Sequence, residues 1–188
     1  MRHPLILDHR QSALVVIDVQ EKFRPIIDHF DEMVDNVKRL IAVAQQLGVP
    51  VLVTEHYPKG LGKTVLEVAG VLASSVPVIE KITFSCCQNE LFMSQITALG
   101  RKQILICGLE THVCVCQTAL DLLQSGLQVQ VALDACSSST VEKKILGKEK
   151  MNSSKIIITS AETALFDWLV RADTQEFKAA LPHLKPKK

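Results

Sequence analysis

The chain alternates short apolar runs with longer stretches in which apolar residues recur every three or four positions. The first run, residues 12–18, has the continuous sequence SALVVID, which is typical of a strand buried on both faces of a sheet. The pattern predicts six strands in all, and the other five cover residues 50–54, 76–80, 103–107, 128–133 and 155–159.

The stretches between these runs predict helices. Residues 31–47 carry apolar side chains at helical spacing, and Gly48 follows where glycine commonly ends a helix. A later helix is predicted to start after Ser160, whose hydroxyl can cap it. The same spacing predicts helices over residues 88–99, 113–125 and 140–152.

Strands that alternate with helices form a parallel sheet covered on both faces. We therefore expect an α/β doubly wound domain with a six-stranded, mainly parallel sheet. The length of 188 residues suits one domain, so the domain is predicted to span residues 1–188. Residues 184–188 are predicted to be a frayed basic tail.

Composition narrows the classes of function. Lys and Arg number 21 against 20 Asp and Glu, so the net charge is +1 and lacks the basic excess of nucleic-acid or membrane-surface proteins. No apolar run reaches the roughly 18 residues of a membrane span, and the N-terminal segment has no secretory apolar core. We expect a cytoplasmic protein with reduced cysteines and with neither a nucleic-acid nor a membrane partner.

Three reactive side chains fall at the carboxyl ends of predicted strands, where active sites lie in parallel sheets. Asp18 closes the first strand, Lys81 follows the third, and Cys114 opens the helix after the fourth. Each has an ordinary interpretation alone, as a cap, a surface lysine or a small buried side chain. Together they provide a base, an ammonium and a thiol, and a helix N-terminus and an ammonium both lower a cysteine pKa. The set predicts a cysteine nucleophile.

Three segments together resemble the isochorismatase-like, or cysteine hydrolase, superfamily: VVIDVQEKF from residue 15, the isolated Lys81, and GLETHVCV from residue 108. The segment TEHYPKGLG from residue 54 is similar to the uncharacterised isochorismatase-domain subgroup. The resemblance implies a metal-independent hydrolase of a small amide-like substrate. In it, Cys114 attacks, Asp18 takes the thiol proton and Lys81 holds the thiolate. The family habit also implies a homo-oligomer, either a dimer or a tetramer.

The resemblance also implies an oxyanion hole in the turn before the nucleophile. Members of the family carry a non-proline cis peptide there, which falls between Leu109 and Glu110 in this sequence. The amides of Glu110 and Cys114 would then point at one oxygen.

The loops after the first three strands are predicted to form the substrate pocket. Nicotinamidases of this superfamily hold a metal on an Asp and several His after the second strand. Here that region has only Glu55 and His56, so we expect no metal. No glycine-rich turn follows the first strand, so no FMN or dinucleotide cofactor is expected. The predicted pocket residues are Phe23, His56, Tyr57 and Phe84.

Two alternatives remain open at this point. In one, the protein is non-catalytic or redox-sensing, and Cys114 is a peroxide-sensitive thiol on the same fold. Asp18 argues against this role because a sensor needs no base. In the other, the protein is a true isochorismatase or nicotinamidase, but true isochorismatases often lack the cysteine.

Overall fold

The computed structural model describes residues 2–184, which fold around one sheet of six strands. The strand order is β3-β2-β1-β4-β5-β6, and every neighbouring pair is parallel. The predicted architecture is confirmed, and the sheet is all-parallel. The strands are β1 (Ser12–Ile17), β2 (Val51–His56), β3 (Val78–Lys81), β4 (Gln103–Gly108), β5 (Gln128–Cys136) and β6 (Ile157–Thr159).

Helices cover this sheet on both faces. Every residue of β1 and β4 is buried, which requires packing on each side of the central strands. The longer helices are α1 (Phe30–Gln46), α2 (Glu90–Leu99), α3 (Cys116–Gln124), α4 (Val141–Ser153), α5 (Ala161–Leu169) and α6 (Gln175–Leu184). Helices α1, α5 and α6 pack together as one group, and α3 packs against α4.

The helix starts follow local capping rules. Ser160 caps α5 as predicted, because its Oγ accepts the Thr163 amide at 3.1 Å. Thr140 caps α4 in the same way, with its Oγ1 3.3 Å from the Lys143 amide nitrogen. Helix α3 begins three residues later than predicted, because a π-helical turn (Thr111–Val115) precedes it.

Helix α6 was not among the predicted elements. It packs on α1, where Nε and Nη2 of Arg39 each donate to a carbonyl of His183 or Leu184 at 2.7 Å. Leu184 is buried, so the predicted tail does not begin there, and residues 185–188 lie outside the described part of the chain. Within residues 2–184, no helix has the length and apolar character needed to cross a bilayer.

The chain changes direction across the sheet next to β1, which has β2 on one side and β4 on the other. Gly108, at the end of β4, has φ of 118°, and a Cβ there would lie 2.0 Å from the Ile17 carbonyl oxygen. Only glycine lets the two strand ends meet so closely. The carboxyl ends of β1, β3 and β4 therefore open onto one region.

Candidate active site

Asp18 and Lys81 form a buried ion pair at this edge of the sheet. Lys81 Nζ lies 2.6 Å from Asp18 Oδ2, and the side chains are 0% and 1% exposed. Asp18 follows β1 with φ of 53°, a left-handed conformation that is uncommon for residues other than glycine. Such backbone strain clusters at functional sites because the surrounding structure must enforce it.

The Lys81 ammonium has an acceptor for each of its three N–H bonds. Besides Asp18, it donates to the carbonyls of Thr83 at 3.1 Å and Phe84 at 3.3 Å. Burial acts to lower the pKa of Lys81, but the Asp18 carboxylate and the thiols of Cys86 and Cys114 together outweigh it, and the pKa is raised. The ammonium is therefore a fixed positive charge at the site.

Cys114 lies beside this pair and is 7% exposed. Burial raises the pKa of the Cys114 thiol to about 12, the Asp18 carboxylate adds to the rise, and the Lys81 ammonium opposes it. The expectation of a lowered pKa is wrong, because desolvation and the adjacent carboxylate outweigh the ammonium. At neutral pH Cys114 is thus a thiol next to a carboxylate.

The turn that carries Cys114 differs from the predicted one. The described residues contain no cis peptide bond, so the bond between Leu109 and Glu110 is trans and the predicted cis bond is wrong. The trans form of a non-proline bond is favoured by about 2.5–4 kcal/mol. The amides on either side of it have fixed acceptors: Leu109 donates to the carbonyl of Ile17 in β1 at 2.8 Å, and Thr111 donates to that of Ser137, just after β5, at 2.9 Å.

That correction removes the basis for assigning the Glu110 amide as an oxyanion donor. The Glu110 carbonyl accepts the Val113 and Val115 amides, and its carboxylate accepts the Ser139 amide at 3.1 Å. Glu110 therefore holds the turn together. The Cys114 amide stays a predicted oxyanion donor.

Helix α4 presses directly on this turn. Gly147 is the contact, since a Cβ at that position would lie 2.7 Å from His112 Cα and 2.9 Å from the Thr111 carbonyl oxygen. Backbone atoms cannot move aside without a large cost in free energy. The absence of a side chain at residue 147 therefore determines how closely α4 approaches the turn that carries Cys114.

Gln20 clamps the loop on the opposite side of the site. Its Nε2 donates to the His56 carbonyl at 3.0 Å and to the Gly62 carbonyl at 2.7 Å, and its Oε1 accepts the His56 amide at 2.7 Å. Sequence reasoning placed Gln20 in a motif but gave it no role. Its full burial beside Asp18 explains why an amide is needed at this position.

The four predicted pocket residues lie in three different settings. His56 and Phe84 stack with ring centroids 5.6 Å apart, and burial followed by the Lys81 charge lowers the pKa of His56. Tyr57 is 54% exposed, and its ring covers Gly60, where a Cβ would collide with it at 2.3 Å. Phe23 instead packs against the hydrophobic core.

A groove of about 310 Å³ brings Tyr57 and Lys81 together, along with Glu80 and Ile82. A larger cavity of about 430 Å³ lies between α1, the end of β5 and α4, and neither Asp18 nor Lys81 lines it. Of these two, only the smaller groove has a residue of the ion pair, Lys81, in its lining, and neither Asp18 nor Cys114 lines it.

The residues at the predicted nicotinamidase metal position do not fit a metal site. Glu55 Oε1 accepts the Thr64 amide at 2.7 Å, and its Oε2 lies 3.1 Å from Lys63 Nζ. His56 is stacked on Phe84. Throughout residues 2–184, no three His, Cys, Asp or Glu side chains are grouped as metal ligands.

Comparison with known proteins places this geometry in context. A family model described as the isochorismatase domain matches residues 12–163. Isochorismatase domain-containing protein 2 of Rattus norvegicus is 40% identical over 177 residues, which are 93% of this chain and 81% of that protein.

Two solved structures share the fold. The MAR1 ribonuclease from Caenorhabditis elegans is 34% identical with a TM-score of 0.90, covering 97% of this chain and 94% of that one. The YcaC protein of Escherichia coli, described as an octameric hydrolase of unknown specificity, also has a TM-score of 0.90. It is 21% identical over 99% of this chain and 94% of that one, a likeness of fold alone.

Proposed function

The chain belongs to the isochorismatase family, as its motifs predicted, and from this premise we propose that it is a metal-independent cysteine hydrolase of a small amide-like substrate. Family membership supports hydrolase activity in general. The observation that carries the specific proposal is the buried Asp18–Lys81 pair beside the Cys114 thiol.

The proposed reaction begins from the thiol. The Cys114 sulfur attacks the carbonyl carbon and forms the C–S bond as its proton passes to Asp18. Asp18 then returns the proton to the leaving amine as the C–N bond breaks, leaving a thioester. Water then attacks the carbonyl carbon of the thioester as Asp18 takes a proton from it. The C–S bond breaks, the carboxylic acid leaves, and the proton on Asp18 returns to Cys114. Lys81 stays charged throughout and stabilises the negative charge on sulfur.

Proton transfer during attack suits the electrostatics of the site. With a pKa of about 12, the Cys114 thiol is almost wholly protonated at neutral pH. A base within reach therefore contributes more than a preformed thiolate does, and general-base assistance is worth roughly 10²–10⁴-fold. The same protonated thiol argues against a role as a peroxide sensor, since thiolate character favours oxidation.

Cys87 provides an internal control for the nucleophile. Its pKa is also raised to about 12, but it is less buried than Cys114 and has no contact with Asp18 or Lys81. At pH 7.5 and limiting iodoacetamide, peptide-resolved mass spectrometry should find Cys114 alkylated before Cys87. Asp18→Asn should reduce turnover about 10²-fold or more, because no base then takes the thiol proton. Faster labelling of Cys87 in the unsubstituted protein would overturn the proposal.

Turnover is tested with a panel of small amides, ureides and esters, with and without a chelator. An RNA oligonucleotide belongs in the panel because one relative is described as a ribonuclease. Hydrolysis of a small amide that Cys114→Ala abolishes and the chelator leaves intact supports the proposal. RNA cleavage that survives Cys114→Ala would contradict it.

We also propose a homo-oligomer in the cytoplasm. Support for assembly comes from three exposed apolar side chains, Tyr57 and Phe84 at 54% and Ile82 at 81%, and from the octamer described for YcaC. All six cysteines are free, as is typical of a reducing compartment. Light scattering that gives a single 20.8 kDa species at micromolar concentration would reject assembly.

A further inference from the structure

We propose that Thr54 is a positioning residue that fixes the Asp18 carboxylate as the base, an inference that rests on the proposed function. Thr54 lies in β2 and is fully buried. Its hydroxyl donates to Asp18 Oδ1 at 2.7 Å, while Lys81 donates to Oδ2 at 2.6 Å. Each carboxylate oxygen therefore has its own donor, and the carboxylate cannot rotate without losing one.

Thr54 holds Asp18 at the backbone as well. The Thr54 carbonyl accepts the Asp18 amide at 3.1 Å, so one residue contacts both ends of the strained Asp18. Asp18 keeps its left-handed backbone only where its surroundings enforce it. The two contacts set the backbone and the side chain of the base together.

Cys86 directs the Thr54 hydroxyl proton. Cys86 Sγ lies 3.8 Å from Thr54 Oγ1 as a thiol donor, so the hydroxyl oxygen accepts from one side and its proton points to Asp18. Cys86 is itself held by its amide, which donates to Thr118 Oγ1 at 3.0 Å. The result is a buried chain of donors that ends at Asp18.

A role in packing alone does not require this hydroxyl. Thr54 follows three apolar residues in a strand whose sequence is VLVTEH, and valine would fill the same volume. Burying a hydroxyl is unfavourable unless it makes a hydrogen bond, and the bond it makes here is to the proposed base. This polar residue within β2 is therefore best explained by the function of Asp18.

The loss of this donor has a definite effect on the base. The titratable and charged groups that face Asp18 are Lys81, Cys114, Cys86 and His56. Without the hydroxyl, Asp18 Oδ1 loses the donor that fixes its direction, while the charge of the carboxylate and its contact with Lys81 remain. The carboxylate can then turn away from Cys114, and proton transfer from the thiol becomes slower.

The test measures iodoacetamide alkylation of Cys114 at pH 7 in Thr54→Val and Thr54→Ser. Thr54→Val should slow Cys114 about 10-fold or more, the scale of a hydrogen bond to a charged group. Thr54→Ser keeps the hydroxyl and should recover most of the rate, which a role in packing alone would not predict. Thr159→Val at the end of β6, remote from Asp18, serves as the matched control.

The outcomes separate this inference from the proposed function. If Cys114 has no preference over Cys87 in the unsubstituted protein, the proposed function fails. If that preference exists but Thr54→Val retains the normal rate, Thr54 has only a packing role and the inference fails. Should Thr54→Val not fold, Thr54→Cys replaces it, because a thiol is a weaker donor and should slow Cys114 relative to Thr54→Ser.

Discussion

The two halves of the candidate site are held in place by different forces. In the base half, formed by Asp18, Thr54 and Lys81, hydrogen bonds and charge define the positions. In the nucleophile half, formed by residues 110–115, close backbone contacts do so, with Gly108 against β1 and Gly147 against the turn. The base half is therefore sensitive to changes of charge, and the nucleophile half to changes of volume.

This difference has a physical origin. A carboxylate and an ammonium can remain buried only as partners, so each fixes the other. A thiol makes weak hydrogen bonds and cannot fix its own position. Cys114 thus depends on the shape of its turn, and the shape depends on the absence of two side chains. Substitutions in each half should consequently fail in different ways.

The largest effect is expected in the base half. Lys81→Met leaves the Asp18 carboxylate buried without its cation, which should lower the free energy of unfolding by about 3–5 kcal/mol. Adding Asp18→Asn removes the uncompensated charge and should restore most of the loss. Urea denaturation of both variants measures the free energy of unfolding. A double variant as unstable as Lys81→Met alone would show that the uncompensated charge of Asp18 is not the cause of the lost stability.

A smaller effect is expected in the nucleophile half. Glycine to alanine inside a helix normally stabilises by roughly 0.5–1 kcal/mol. Gly147→Ala should instead lower the free energy of unfolding by about 1–3 kcal/mol, because its Cβ collides with the turn backbone. Cys114 alkylation should slow by about 10²-fold as the turn shifts. Asn152→Ala, exposed on the same helix, is the control. If Gly147→Ala were more stable than the unsubstituted protein, close packing of α4 would not be what holds the turn of Cys114 in place.

The smallest effect per residue is expected from alkaline pH. Burial raises the pKa of Cys86 to about 11, that of Cys136 to about 12 and that of Cys107 well above its ordinary value of 9.0. Folded thiols thus stay protonated while unfolded ones ionise. The stabilisation is complete below about pH 9 and is lost as pH rises.

At pH 10 the free energy of unfolding should be lower by about 1 kcal/mol for each buried thiol. Thermal unfolding at pH 7 and pH 10 measures the sum, and Cys107→Ala should reduce the difference between the two. Equal melting temperatures at both pH values would contradict the assigned burial of these thiols.

The sequence predicted the sheet well because its strands carry a local signal. After Ser12, the run SALVVID has no polar residue before its final acid, and the structure places it at the centre of the sheet. Helix α6 gave no such signal, since it contains Pro182 and its last carbonyls are satisfied by Arg39, which is distant in sequence. Contacts of that kind become visible only in the fold.

The candidate site was predictable to the same degree. Asp18, Lys81 and Cys114 emerged from strand ends, and the structure brings them together. The direction of the Cys114 pKa shift could not be predicted from the sequence, because it depends on how deeply the thiol is buried. Thr54 was also missed, although a polar residue that ends an apolar strand is a signal that could have found it. Gly147 was invisible because only a tertiary contact explains it.

The three fixed acceptors of Lys81 have a consequence for the proposed mechanism. An ammonium whose bonds are already made does not reorient when charge develops on sulfur, so the proposed reaction would need little reorganisation energy. In that mechanism the field is present before any substrate arrives and would serve any carbonyl compound that can reach Cys114. The proposal then assigns selectivity to the loop that carries Tyr57, and that loop could diversify while the reacting centre stays the same.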